Sequence, residues 1–485
     1  MGIFKAAIIL FLVLILQVNL FVPFLQEPLE RDEGAYAYIA QRLPAGELPY
    51  RDSFDHKPPA IYFTYALIFR FFGESILSIR IFTLAISLLS TLLVFAIGFW
   101  FWGSGGGLLS AFLYALFSGG PYIQGTSANT ETFMLLPMLL AFYLFLLGSR
   151  KNPHTKKFGV GMNLFAAGLF SGLAVMFKPV ALLNFLALFM FSFFLPESSR
   201  KEKIQKLAAL LFGFLVFPLL FAAYFWLKQA GADFIYAVFT YNLAYIKGQV
   251  WSWAGFLQVS LFGNSILWLL AAAATLYVLL KDRKYENLLL VSWALLSVLG
   301  VISGKTFYGH YFIQAIPALV LLSSYALLKY FDEPAINISR ILLVIVIFFL
   351  SLILIVYQIG FYFSTPEQIT FKKYGFSNFA DAREVARYVK ASTSPEENIF
   401  VWGVEPEIYF YSQRKSASKY IYYYPLFMGK ELRLKPLVDE ITINKPKEII
   451  LAAPIYRNSS LGDYINLRYR KIANFRNWEV WERLK

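Results

Sequence analysis

The chain has 485 residues, 58% of them hydrophobic and 19% aromatic, with only 15% charged, against roughly 25% charged in a soluble domain. The net charge is +14, but the cations sit in loops between long apolar runs, where Lys and Arg set membrane orientation rather than mark a nucleic-acid partner. There is no cysteine, which excludes a disulfide framework, a thiolate metal site and a thiol nucleophile.

The apolar runs are continuous, as in 341–359. A β-barrel would instead alternate polar and apolar residues in short segments. At roughly 20 residues per crossing, about eleven helical spans are expected, near 4–24, 78–101, 106–123, 130–148, 160–177, 179–195, 207–228, 257–280, 287–303, 312–329 and 340–361. The first is read as a retained span, since its apolar run is long for a signal peptide and lacks a small-x-small cleavage site. Alternate loops carry Lys5, then Arg150, Lys151, Lys156 and Lys157, then Arg200, Lys201, Lys203 and Lys206, then Lys281, Arg283 and Lys284. The positive-inside rule makes that side cytoplasmic. The N-terminus is then cytoplasmic, and loop 25–77 and the tail are extracytoplasmic, in a multi-pass protein of the cell membrane.

The first outer loop contains two expected interfacial helices. Residues 33–43 space Tyr36, Ile39 and Leu43 helically, and Pro58-Pro59 begins an aromatic stretch reaching Phe72. A second outer loop, 229–256, is rich in Tyr and Trp. From about Ser364 charges return and the hydrophobic period shortens. Strands are expected at 398–402, 448–451, 469–474 and 478–482, with helices at 380–390 and 430–443, together a small α/β domain. The expected architecture is a polytopic α-helical membrane domain, 1–363, followed by an extracytoplasmic α/β domain, 364–485.

Several ionisable residues fall at the outer ends of spans. Asp32-Glu33 follows the first span. Asp32 could cap the helix that begins there, with Glu33 in its first turn. It could equally serve as a general base for an attacking hydroxyl. His56-Lys57-Pro58-Pro59 places a cation beside a helix start, which suits a phosphate, although Lys57 could also snorkel to headgroups. Glu131 opens a later span behind Asn129 and Ser127, where capping is the plain explanation. Lys178-Pro179 interrupts an apolar stretch, and Lys305 and His310 share the short loop SGKTFYGHYF. Ionisable groups at such boundaries are functional candidates. A lipid-linked phosphate leaving group calls for such cations, and electrostatic stabilisation of it is a large catalytic effect.

Arg31-Asp32-Glu33-Gly34-x-Tyr36, His56-Lys57-Pro58-Pro59, Asn129-Thr130-Glu131 and Gly309-His310-Tyr311-Phe312 together resemble the GT-C glycosyltransferases. Within that superfamily the pattern is similar to the bacterial protein-mannosyltransferase and aminoarabinose (lipid A) transferase group, over roughly 1–360. The resemblance implies transfer of a hexosyl or pentosyl group from a polyprenyl-phosphate-linked donor to an acceptor hydroxyl outside the cytoplasm, with inversion. It implies Asp32, Glu33 and Glu131 as catalytic acids and Lys57 as a phosphate contact. His56, Lys178, Lys305 and His310 are further candidate phosphate contacts. Some relatives are linked to a divalent metal, for which Asp32 and Glu131 are the available ligands. The partners implied are the lipid donor, membrane lipids and an acceptor that is a glycan, a lipid or a protein, with no nucleic acid. The rival reading is a transporter or flippase of lipid-linked sugars or other envelope substrates, which would show internal repeats and midplane charges.

Overall fold

A computed structural model describes residues 2–149, 157–194, 199–261, 264–331, 338–428, 431–455, 459–476 and 478–484. The cytoplasmic cations expected at Arg150, Lys151 and Lys156 lie outside them, as does His154. The chain forms two compact units, and neither is continuous in sequence. The first comprises 1–25, 80–221 and 249–364; the second comprises 26–79, 222–248 and 365–485.

The first unit is helical. Each of the eleven expected spans contains a helix: Ile3–Phe21, the two halves of Ile76–Ser118 broken at Trp102 and Gly103, Thr130–Ser149, Lys157–Val175, Ala181–Ser192, Arg200–Leu227, the pair Trp253–Leu261 and Ser265–Lys281, Tyr285–Ser303, Ile316–Phe331 and Ile338–Ile359. The helices differ in length. Among the described residues five helices are long and apolar enough to cross a membrane, or six if Trp253–Leu261 and Ser265–Lys281 form one bent span. Others are apolar but short, such as Ala181–Ser192, because loops and 3-10 turns consume the ends of runs that look continuous in composition. Arg200–Leu227 exposes Phe212, Leu219, Leu220 and Trp226, an outward apolar surface that suits lipid rather than water. Some polar groups inside bond from helix to helix. The Gln17 amide donates to Ser87 Oγ (2.8 Å) and its oxygen accepts from Thr91 Oγ1 (2.6 Å), and Asn184 donates to Ser297 Oγ (2.7 Å). Such interhelical bonds hold apolar helices in register where lipid offers no partner.

The second unit joins the first outer loop and residues 222–248 to the tail. A four-stranded mixed sheet forms its far end, in the order Ile399–Trp402, Glu448–Leu451, Trp478–Arg483, Tyr469–Phe475. The first two strands are parallel and the remaining pairings antiparallel. Ile399–Trp402 is buried along its whole length, as expected for a strand covered on both faces. One side packs Phe400, Trp402 and Ile449 against Leu437, Ile441, Leu461 and Ile465 from helices Lys435–Asn444 and Ser460–Arg468. The loop contributes helices Arg31–Arg42 and Ala60–Phe72, close to the expected bounds. They meet through Tyr36, whose ring packs edge-on to Tyr62 and Tyr65 at 6.0 and 5.8 Å.

Gly34 shows how tightly the loop is bound to the tail. A Cβ there would lie 2.6 Å from the Glu407 Cβ and 2.7 Å from its backbone nitrogen. Only glycine lets the helix Arg31–Arg42 approach Glu407–Ser412 this closely. Buried Tyr38 then accepts the Ser416 amide hydrogen bond on its hydroxyl, at 2.8 Å.

Candidate active site

Asp32 does not cap its helix. The cap is Glu30, whose carboxylate accepts from the Glu33 amide (3.3 Å), while the Glu33 carboxylate accepts from the Glu30 amide (3.0 Å). This reciprocal pair is a capping box with glutamate in place of the usual Ser or Thr. It overturns the expectation that Asp32 caps the helix. Glu33 is fully buried and engaged at the helix start. Asp32 is released from capping and lies in the first turn, with its side chain partly accessible.

Asp32 meets two cations. Its Oδ2 accepts from Lys57 Nζ at 2.9 Å and its Oδ1 from Arg31 Nε at 3.0 Å. The Arg31 guanidinium also lies 5.3 Å from the Tyr424 ring centroid. Neighbouring cations favour the charged form of a carboxylate. The surroundings push the other way for its buried neighbours. Burial, with Asp32 and Glu33 nearby, pushes the Glu30 carboxyl up to about 8. Burial raises Glu405 to about 7 and Glu407 further, the latter aided by Glu405. Among these acids Asp32 is the one set up to carry charge beside accessible cations.

Lys57 is held by a residue the sequence reading passed over. Asp55 is buried and accepts three hydrogen bonds: from the His56 amide (2.7 Å), Tyr422 Oη (2.8 Å) and Tyr62 Oη (2.9 Å). The Lys57 carbonyl accepts from Tyr50 Oη at 2.8 Å. Asn242 Nδ2 donates to the His56 carbonyl at 2.7 Å. The segment Asp55-His56-Lys57 is therefore clamped along its backbone, and the Lys57 side chain alone projects to Asp32. His56 was expected to help bind phosphate. Instead its ring lies beside Tyr241 and Tyr245, with centroids 5.5 and 5.2 Å away. Burial first, and the Lys57 charge second, hold it down at about 4. A neutral, enclosed imidazole is a poor phosphate ligand, which corrects that assignment. Asp55 carries a faint signal in the sequence, an acid two places before the lysine in FDHKPP.

In the other unit Glu131 is buried in the first turn of Thr130–Ser149. It pairs with Lys178, accepts from Thr130 Oγ1 at 2.7 Å, and has His310 Nε2 3.8 Å from its Oε1. His310 Nδ1 is 2.8 Å from Gln124 Oε1. Lys178 Nζ lies 3.8 Å from the Tyr311 ring centroid, a cation–π contact that a desolvated ammonium gains from. The motif Gly309-His310-Tyr311 needs its glycine, since a Cβ at Gly309 would fall 2.1 Å from the Tyr122 carbonyl oxygen. Glu131, Lys178 and His310 thus lie together. Lys305 is not among them: its backbone takes φ +58°, and its ammonium lies 5.9 Å from the Trp251 ring centroid. Among the described residues no group of three or more His, Asp or Glu could hold a metal ion, so the tentative ligands Asp32 and Glu131 gain no companions.

Residues 56–226 match the model of the dolichyl-phosphate-mannose-protein mannosyltransferase family. Residues 380–483 match the C-terminal-domain model of the competence-induced protein Ccs4. No curated protein matches the chain in sequence. In structure it superposes on ArnT from Cupriavidus metallidurans bound to undecaprenyl phosphate, with a TM-score of 0.64 and 14% identity over 99% of this chain and 98% of that one. The chain has the GT-C fold. The resemblance read from the motifs is borne out at that level. The GT-C architecture recurs in the oligosaccharyltransferase of Archaeoglobus fulgidus tethered to an acceptor peptide, at a TM-score of 0.60 and 13% identity over 93% of this chain and 69% of that one. The same archaeal protein, AglB, in complex with an inhibitory peptide and a dolichol-phosphate, gives 0.59 and 14% over 93% and 70%.

Proposed function

We propose that this chain is an integral-membrane glycosyltransferase that moves a sugar from a polyprenyl-phosphate-linked donor to an acceptor hydroxyl. The observation that carries the reading is the Asp32–Lys57 contact of 2.9 Å, with Lys57 fixed by the clamped segment before it. Support comes from the match of residues 56–226 to the mannosyltransferase family and from the fold shared with a protein bound to undecaprenyl phosphate.

In this reading the acceptor hydroxyl gives its proton to Asp32 as its oxygen attacks the anomeric carbon of the donor. The bond from that carbon to the phosphate oxygen breaks, and its electron pair leaves with the lipid phosphate. Lys57 and Arg31 balance the charge that develops there. Because Asp32 and the incoming phosphate compete for Lys57, arrival of the donor frees the carboxylate to take a proton. A single displacement of this kind inverts the anomeric centre. Glu131 is assigned to holding Lys178 and His310 rather than to proton transfer, since its carboxylate is already committed to them. Lys178 and His310 are held by Glu131 in the first unit. The Lys and Arg bias of the loops supports a cytoplasmic N-terminus and an extracytoplasmic tail. Transport is not favoured: the ionisable groups of the candidate site, Asp32, Lys57, Glu131, Lys178 and His310, lie at helix starts and in loops.

The test is transfer from a defined undecaprenyl-phosphate sugar to cell-envelope glycans, lipids and proteins by the purified chain. Asp32→Asn should lose on the order of 10²–10⁴-fold in turnover, the usual contribution of a positioned base, while still binding the donor. Wild-type turnover in that variant would remove Asp32 from the chemistry. No transfer by the wild type to any acceptor class would remove the reading itself.

A further inference from the structure

The second unit contains a cavity of about 190 Å³ that nothing in the proposed reaction uses. At about 30 Å³ per water it has room for roughly six waters, enough to admit one sugar ring. Its walls include Tyr50, Phe54, Tyr236 and Tyr420. Aromatic faces of this kind pack against the C–H faces of a sugar ring, as they do in mostly apolar pockets with a few placed polar groups. The polar groups here are Lys419, Arg433 and Asp233, and the two cations are of the kind that hydrogen-bond an anionic substituent.

Two features tie this cavity to the candidate active site. Tyr50 is both a wall and the residue whose hydroxyl holds the Lys57 carbonyl. Phe54 directly precedes Asp55, and its amide donates to the Lys419 carbonyl at 2.7 Å. The wall is also rigid. Tyr50 has φ +76°, which a bulky L residue adopts only when its surroundings demand it. Its ring is buried against Tyr62, Phe225 and Phe234, with centroids 5.9, 5.2 and 5.8 Å away. The mouth is formed by Arg433 and Pro436 of the tail, both exposed. Among the described residues the lining includes none from a membrane-crossing helix, so the prenyl chain of a donor finds no apolar path there.

We propose that this cavity is an acceptor subsite that binds one anionic sugar unit, a phosphorylated or carboxylated hexose, through Tyr420 stacking and the Lys419–Arg433 pair. The assignment to the acceptor rests on the glycosyltransferase reading; the binding itself does not. The experiment uses the full chain in nanodiscs and titrates it with glucose 6-phosphate and glucuronic acid by saturation-transfer NMR, with glucose and inorganic phosphate alongside. At least one of the two charged sugars should bind, and more tightly than glucose or phosphate. Exposed Arg433→Ala should weaken it about tenfold, the worth of a charge-assisted hydrogen bond. Tyr420→Ala should weaken it comparably and Tyr420→Phe should restore it. Asp32→Asn should bind like the wild type, so failure of the transfer reading leaves this result standing. Binding of neither charged sugar, equal binding of inorganic phosphate, or no effect of Arg433→Ala would overturn the proposal. Displacement of the bound sugar by undecaprenyl phosphate in the disc would overturn its assignment to the acceptor.

Discussion

Tyr422→Phe removes a single hydroxyl from the tail and reaches the candidate site through Asp55. The Tyr422 Oη–Asp55 bond is 2.8 Å long, and both groups are buried. A hydrogen bond to a charged acceptor contributes about 1.5–3 kcal/mol. Asp55 keeps the His56 amide and Tyr62, so it is not left bare, and the lower part of that range applies, about 1.5–2 kcal/mol. The assay is a guanidinium titration of the detergent-solubilised chain, followed by Trp fluorescence; Trp402, Trp478 and Trp481 all lie in the tail's sheet. A cycle with Asp55→Asn isolates the pair. The double variant should recover more than about 1 kcal/mol relative to the summed single losses, whereas independent sites add to within about 0.3–0.5 kcal/mol. Additive losses would show that Tyr422 does not hold Asp55, and the account of Lys57 positioning would fall. If the coupling is present, transfer by Tyr422→Phe should fall together with it and be spared in a Tyr62→Phe variant to a lesser degree, since Tyr62 also contacts the Lys57 carbonyl at 3.3 Å.

Three further outcomes are expected. Gly34→Ala forces a Cβ to within 2.6 Å of Glu407, so it should cost roughly 1–3 kcal/mol as an overpacking change; an unchanged unfolding midpoint would contradict the close approach. Glu405 is raised from the ordinary carboxylate range to about 7 by burial. The unfolded chain releases this proton first, so the stability tied to it is complete below about pH 4.5 and is lost as pH rises through 7. At about 1.36 kcal/mol per unit that is at most about 3 kcal/mol, and Glu405→Gln should flatten the midpoint-against-pH curve between pH 5 and 7.5. Glu131→Gln strands Lys178 beside a neutral amide in a buried site and should cost about 3–5 kcal/mol. Glu131→Gln combined with Lys178→Met should be the more stable of the two, measured by thermal inactivation in detergent.

The helices were legible because apolar runs of the right length are a composition signal, and the tail's strands because β-branched and aromatic residues cluster at Ile399–Trp402 and Glu448–Leu451. Their ends were not, because a run such as 179–195 spends its ends on turns that composition does not mark. Asp32, Lys57, Glu131, Lys178 and His310 stood out as ionisable groups at span ends. Their pairing did not: Glu131 and Lys178 are 47 residues apart, and nothing local says which cation a carboxylate chooses. The Asp32 cap was misplaced because glutamate is a poor cap by residue preference, and only the reciprocal bond from Glu33 makes Glu30 one. The role of Asp55 and the aromatic cavity were not legible, for a single reason. Their partners lie in three separate stretches of sequence, and no period or motif connects them.

That interleaving has a consequence in time. Asp55 waits for Tyr422, which lies 367 residues further along. At a synthesis rate of about 5–20 residues per second the interval is on the order of 20–70 s. Through it the loop's tyrosines and carboxylates have no completed home, while helices from the other unit are already available to assemble. Production of a chain truncated before the tail would therefore leave Asp55 without its Tyr422 bond, and the order of translation becomes part of how this site is built.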